Sequence, residues 1–189
     1  MIAPEQLLAA YRQGFFPMGH PETGRLHWLC PDPRAIIELD DFHLSRTVAR
    51  KLRARRHPVT FDEAYPQVVE ACADRARTWL TPELRKTYCE LRRRGTAHSA
   101  ETWHEGELAG GVYGVSIGAA FMAESMFHHR TDAGMEALAA LVGQLRQRGF
   151  ALLDVQFTTP HLLRLGATEL PRVEYLRRLA AAVARPCPW

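Results

Sequence analysis

Between Leu108 and Phe127 the chain reads LAGGVYGVSIGAAFMAESMF, an apolar stretch with four glycines and four alanines. Leu108, Gly110, Val112 and Gly114 alternate with Ala109, Gly111, Tyr113 and Val115, which is the period of a β-strand. Ser116-Ile117-Gly118 then reads as a turn and Ala119 to Ala123 as the returning strand of a hairpin. Glycine weakens a strand but lets a backbone or a ligand come close, so one face of this hairpin is expected to have something lying against it. Glu124 stands directly after the apolar run. It is either a strand-end carboxylate reaching water or the first candidate for chemistry.

A chain of 189 residues, 47% hydrophobic and 24% charged, suits one large or two small globular domains. The net charge is only +3, but every charged residue from Arg46 to Arg56 is a cation. Leu44, Val48 and Leu52 share one face of a helix there, and Arg46, Arg50 and Arg53 the roughly opposite one. Such a line of guanidinium groups fits a solvated helix face or a row of phosphates, and the missing acids favour phosphates. Cys30, Cys72, Cys89 and Cys187 are scattered without a CxxC, and His128-His129 has no metal-binding companions, so free thiols and no metal site are expected. No apolar run is long enough to span a bilayer and the N-terminus lacks a signal-peptide pattern, which gives a cytoplasmic expectation.

In chain order, a helix is predicted over residues 4–13, a loop rich in Pro, Gly and His over 19–34, and a short strand over 35–39. The helix with Arg46 is followed by a strand at 59–61 and a helix at 63–73. Thr81-Pro82 opens another helix that stops at Gly95. Strands at 97–103 and 107–115 join the glycine hairpin in a meander, a long helix spans 133–148, and a strand runs from Phe150 to Phe157. Two helices, 160–165 and 172–184, flank a turn and short strand. Along the 150–157 strand Leu152, Asp154 and Gln156 share a face, Asp154 and Gln156 roughly 7 Å apart. Two polar groups on an apolar strand either hold each other in a structural network or serve a ligand.

Meander, long helix, strand resembles the core of the GCN5-related N-acetyltransferase fold, which implies an α+β protein with a mixed sheet flanked by helices. In those enzymes a Q/R-x-x-G-x-G/A turn holds the CoA pyrophosphate. Here Arg130-Thr131-Asp132-Ala133-Gly134-Met135 is one residue too long and carries an acid, so acetyl-CoA fits poorly. Several segments in order, Gly14-Phe15-Phe16-Pro17, Pro31-Asp32-Pro33-Arg34, His43-Leu44-Ser45-Arg46, Thr78-Trp79, Ala97-His98-Ser99, Gly110 to Val115, Glu124 to Phe127, Asp154-Val155-Gln156 and Leu165-Gly166-Ala167 up to Pro171-Arg172, resemble the leucyl/phenylalanyl-tRNA-protein transferases.

The resemblance implies an aminoacyltransferase that moves Leu or Phe, and less well Met, from aminoacyl-tRNA to proteins with N-terminal Arg or Lys, marking them for degradation by the N-degron route. It implies a small, reduced N-terminal α/β domain over residues 1–40 that contributes to the tRNA 3′-end site and a catalytic domain over 41–189; a monomer is the simpler expectation, and no cofactor is expected. Glu124, Asp154 and Gln156 fall at the catalytic positions. Val112, Phe121, Ala123, Met126, Leu138 and Leu141 fall at those of the donor side-chain pocket, Trp79 and Met18 at the terminal adenosine, and Arg46, Arg50 and Arg53 at the acceptor-stem phosphates. Met18 stands where many members have a second tryptophan. An acetyl-CoA-dependent acetyltransferase and a non-catalytic RNA-binding module are the competing readings.

Overall fold

The computed structural model describes residues 2–55 and 57–189, leaving out Met1 and Arg56 and the side chains of Thr47, Lys51, Arg53 and Arg55. Helix α1 (Pro4–Arg12) starts with proline in its first turn and buries Leu7 and Tyr11. Strands β1 (Phe16–Gly19) and β2 (Leu26–Leu29) form a two-stranded antiparallel hairpin. The sequence reading has a loop over 19–34 and no strand before residue 35. Proline, glycine and histidine obscure a ribbon whose strands are only four residues each. Strand β3 (Arg34–Ile37) is followed by α2 (Arg46–Arg55), β4 (Val59–Phe61), α3 (Tyr65–Ala73) and α4 (Pro82–Arg93). Thr81 caps α4, its hydroxyl accepting from the amide of Leu84.

Then come β5 (Ala97–His104), β6 (Glu107–Ile117), β7 (Ala120–His128), α5 (Ala133–Arg148), β8 (Leu152–Gln156), α6 (Pro160–Leu163), β9 (Ala167–Leu170) and α7 (Arg172–Ala184). Seven strands make one mixed sheet in the order β4-β5-β6-β7-β8-β3-β9, antiparallel except where β7 runs parallel to β8. Strand β3, placed by the sequence reading in the N-terminal part, therefore lies inside the large sheet. The hairpin turn is Gly118-Ala119 rather than 116–118, and Gly118 takes a φ of +55.

The sheet separates two apolar clusters. One gathers Tyr11, Val68, Tyr88, Tyr113, Met122 and Leu152 under α1, α3, α4 and α7. The other gathers Val112, Phe121, Ala123, Leu138, Leu141 and Leu153 under α5. What lies against the glycine wall is the first turn of α5, since a Cβ on Gly110 would stand 2.6 Å from the backbone of both Ala133 and Gly134. Thr102 fastens the same junction, its hydroxyl 3.2 Å from the Gly110 carbonyl and 3.1 Å from that of Ala133.

Gly110→Ala is therefore expected to push α5 off the sheet and to cost about 1–3 kcal/mol in urea unfolding. Gly143→Ala, in the interior of the same helix with nothing within 4 Å of the added methyl, should instead stabilise by roughly 0.5–1 kcal/mol.

Candidate active site

Strands β7 and β8 pair only through Ala120 with Leu152, Phe121 with Leu153 and Met122 with Asp154. Beyond that last pair the two parallel strands no longer hydrogen-bond, and the sheet opens. Glu124 lies two residues past Met122 and Gln156 two past Asp154, so the two polar side chains stand on either side of the opening. Carboxyl ends of parallel strands that part in this way are where open α/β sheets bind ligands.

Both strands are irregular at this point. Opposite β6 the register jumps from Ser125–Tyr113 to Ala123–Gly114, which makes Glu124 the extra residue of a β-bulge. Opposite β3 it jumps from Gln156–Ala35 to Asp154–Ile36, leaving Val155 unpaired. Gln156 adopts a φ of +60, a left-handed conformation that a non-glycine residue holds only when its surroundings impose it.

Asp154 imposes it. Its side chain is fully buried and accepts four hydrogen bonds. Arg34 Nε at 2.9 Å and the Gln156 amide at 2.9 Å donate to Oδ1, and Arg34 Nη2 at 2.6 Å and the Tyr175 hydroxyl at 2.8 Å donate to Oδ2. Arg34 is itself 1% exposed, lies 4.6 Å from the ring centres of both Phe16 and Tyr175, and donates to the Gly14 carbonyl at 3.0 Å. A bidentate, fully hydrogen-bonded pair is the form in which two charges tolerate burial.

Glu124 is in a different situation. Tyr88 donates to its Oε2 at 2.8 Å, and the Tyr11 hydroxyl lies 2.9 Å from that of Tyr88. Its other oxygen, Oε1, is buried and without a hydrogen-bond partner. Burial pushes the carboxyl up to about 7, while hydrogen bonds from Tyr11 and Tyr88 hold the rise back. Gln156 is 8% exposed and its Nε2 also has no partner.

Two cavities meet at these residues. One, of about 230 Å³, is walled by Val112, Ala123, Met126, Leu138 and Val155, with Arg75 and His161 at its polar rim. Phe121 and Leu141 sit behind that wall, fully buried in the same cluster. The other, of about 90 Å³, lies between Met18, Trp79, Phe16 and Phe157. Glu124 and Gln156 line both. Arg46 and Arg50 are exposed on α2, and the Arg53 side chain is outside the described residues. The amide of His43, ahead of that helix, donates to the Leu165 carbonyl at 3.3 Å, tying it to the segment that follows His161 and Leu162 in the larger cavity's wall.

Sequence reasoning missed Arg34, Tyr175, Tyr11 and Tyr88 as members of this centre. Arg34 is the one with a signal, a lone cation opening a strand that is otherwise Ala-Ile-Ile. The three tyrosines are buried in the core. Their hydroxyls find the carboxylates only once the helices are packed.

Residues 36–180 match the family described as leucyl/phenylalanyl-tRNA protein transferase, and residues 1–32 match its N-terminal domain. The chain belongs to this family. Leucyl/phenylalanyl-tRNA–protein transferases from Salinibacter ruber and Gloeobacter violaceus are each 48% identical to it, over 100% and 98% of this chain and 83% and 96% of theirs. That of Ruegeria pomeroyi is 50% identical over 96% of this chain and 87% of its own. The family's activity makes it an aminoacyltransferase. Among solved structures, the GCN5-related glucosamine N-acetyltransferase region of a fungal multi-domain β-N-acetylglucosaminidase superposes with a TM-score of 0.51 at 10% identity, over 88% of this chain and 22% of that one. That likeness bears on the fold alone, and agrees with the mixed sheet and flanking helices expected from the sequence.

Removing the cation beside Asp154 should be severe. Arg34→Met is expected to lose about 3–5 kcal/mol in denaturant unfolding, because it strands a buried carboxylate, and Arg34→Met/Asp154→Leu should recover most of that loss.

Proposed function

We propose that the protein transfers leucine or phenylalanine, and less well methionine, from aminoacyl-tRNA to the α-amino group of proteins beginning with Arg or Lys, marking them for degradation by the N-degron route. The observation that carries this reading is the pair of cavities sharing Glu124 and Gln156. A substrate with an apolar side chain at one end, a purine at the other and a reactive ester between them has that layout.

In this reading the donor side chain enters the larger cavity between Val112, Ala123, Met126 and Leu138, with Phe121 and Leu141 setting its depth from behind. The terminal adenosine stacks at the mouth of the smaller one on Trp79, beside Met18, a contact worth about 1–3 kcal/mol. Arg46, Arg50 and Arg53 hold acceptor-stem phosphates. Residues 1–40 complete the 3′-end site through Phe16 and Met18, while 41–189 carry the catalytic apparatus. The enzyme acts as a monomer in the cytoplasm, where charged tRNA is made.

The chemistry asks for alignment more than activation, because an aminoacyl ester is already reactive. The site must bring the acceptor amine against the ester carbon, relieve it of a proton and tolerate the developing oxyanion. The Gln156 side-chain oxygen accepts a hydrogen bond from the amine and aims its lone pair. Asp154 fixes the backbone from which Gln156 projects, and Glu124 holds the positively charged acceptor terminus. No step requires a cofactor or a metal.

Transfer of radiolabelled Leu, Phe or Met from charged tRNA to peptides that differ only in their first residue tests this. Labelling is expected on Arg and Lys peptides and not on Ala peptides, and Gln156→Ala should lower it by roughly 100-fold. Absence of transfer by folded, tRNA-binding protein would overturn the reading. Arg46→Ala should weaken tRNA binding and reduce the steepness of its salt dependence by about one unit of slope.

A further inference from the structure

We propose that Glu124 is the proton acceptor of the transfer reaction, taking the proton through its unpaired Oε1, and that Tyr88 and Tyr11 are the positioning residues that set when it can do so. The inference rests on the transfer reading above and goes beyond it by assigning the proton.

Three side chains at the opening between β7 and β8 compete for this role. Asp154 is excluded by its bonding: two donors on each oxygen and an arginine held between two aromatic rings leave no lone pair facing either cavity. Gln156 carries an amide, which orients an amine but has no usable basicity. Glu124, which lines both cavities, keeps one oxygen engaged by Tyr88 and leaves the other buried and unsatisfied. A buried acceptor without a donor is costly. Here the missing donor is an N–H of the acceptor terminus, so the contact by which Glu124 holds that terminus is also the one through which it takes the proton once the nitrogen has attacked and become cationic.

The bulge at Glu124 and its phenol chain serve the same end. The side chain is held by a tyrosine hydroxyl, and among the described residues no cation is ion-paired with it. Tyr88 from α4 contacts it, and Tyr11 from α1, Tyr65 from α3, Tyr113 from β6, Asp154 from β8 and Arg34 from β3 interact with it electrostatically. Arg75 and His161 lie across the larger cavity. Burial pushes all four phenols well above their ordinary range, so they remain neutral, and Tyr88 remains a donor to Glu124. A carboxyl poised near 7 both accepts and returns a proton at neutral pH.

The step balances as follows. The free amine attacks the ester carbon, an N–C bond forms and the carbonyl electron pair moves to oxygen. The proton on the now cationic nitrogen passes to Glu124 Oε1. The tetrahedral species collapses, the bond to the ribose oxygen breaks, and that oxygen takes the proton from Glu124 as it leaves. An ester and an amine have become an amide and a hydroxyl, and the carboxylate is restored.

The test is the pH dependence of kcat/KM for transfer to an Arg peptide, beside the midpoint of the Glu124 carboxyl followed by 13C NMR. Wild type is expected to show an ascending limb at the Glu124 midpoint, near 7. In Tyr88→Phe the carboxylate loses a donor, so limb and midpoint should move upward together. Tyr11→Phe gives the same direction if Tyr88→Phe fails to fold. Glu124→Gln should lose about 100-fold in rate and lack that limb. The acceptor amine titrates at about 7.7–8.0 and is blind to Tyr88, so it cannot imitate this result. A limb that stays in place while the carboxyl midpoint moves would overturn the proposal, as would a Glu124→Gln enzyme within threefold of wild type. If wild type transfers no amino acid at all, the transfer reading itself falls and this inference falls with it.

Discussion

Asp154 is the constraint around which the protein is built. A fully buried carboxylate is tolerable only if each lone pair finds a donor, and its donors come from two distant parts of the chain and from the end of its own strand. Arg34 brings β3 and, through the Gly14 carbonyl, the end of α1. Tyr175 brings α7, and the Gln156 amide bends the end of β8 back on itself. The N-terminal segment, the C-terminal helix and the middle of the sheet are thus coupled by one charged group. The same bond holds Gln156 at a φ that its own backbone disfavours, so stability and the geometry of the site are set by one interaction.

The opening of the sheet depends on that arrangement. Parallel strands that stop pairing expose amides and carbonyls, and here the exposed ends are used rather than covered. Glu124 and Gln156 occupy equivalent positions past the last pair, one on each strand. The gap between them joins an apolar cavity on the α5 side to an aromatic one beside β1. The glycines of β6 serve the first cavity indirectly. Gly110 lets α5 settle on the sheet at backbone distance, which brings Leu138 into the same wall as Val112 and Ala123.

Much of this was legible in the sequence. Hydrophobic period and capping residues place α1, α4, α5 and α7 within a residue or so, and the meander follows from alternation and glycine turns. What resists reading is local irregularity. Ala123 and Met126 are three residues apart and would face opposite sides of a regular strand; they share a cavity wall only because Glu124 is bulged between them. The same bulge puts Phe127 with the tyrosine cluster. Likewise Phe157 should continue the face of Leu153 and Val155, yet its ring packs 5.7 Å from Phe16, because the left-handed turn at Gln156 swings the chain across. Period-two arguments cannot foresee either shift, since each breaks the alternation on which they rest. The β1–β2 hairpin fails for another reason: its strands are too short to show a period at all.

The features that resist prediction are also those that cost stability. A left-handed glutamine, two bulges, an orphan carboxylate oxygen and an orphan amide nitrogen all lie within a few residues of the opening. Each is unfavourable in a protein at rest, and local consistency is given up at this place more than at any other in the sheet. The Arg34–Asp154 centre offsets that by clamping the backbone directly beneath. A fold that anchors a charged network at the last paired residues of two strands can leave the next two residues unsatisfied, and unsatisfied groups are what a substrate completes.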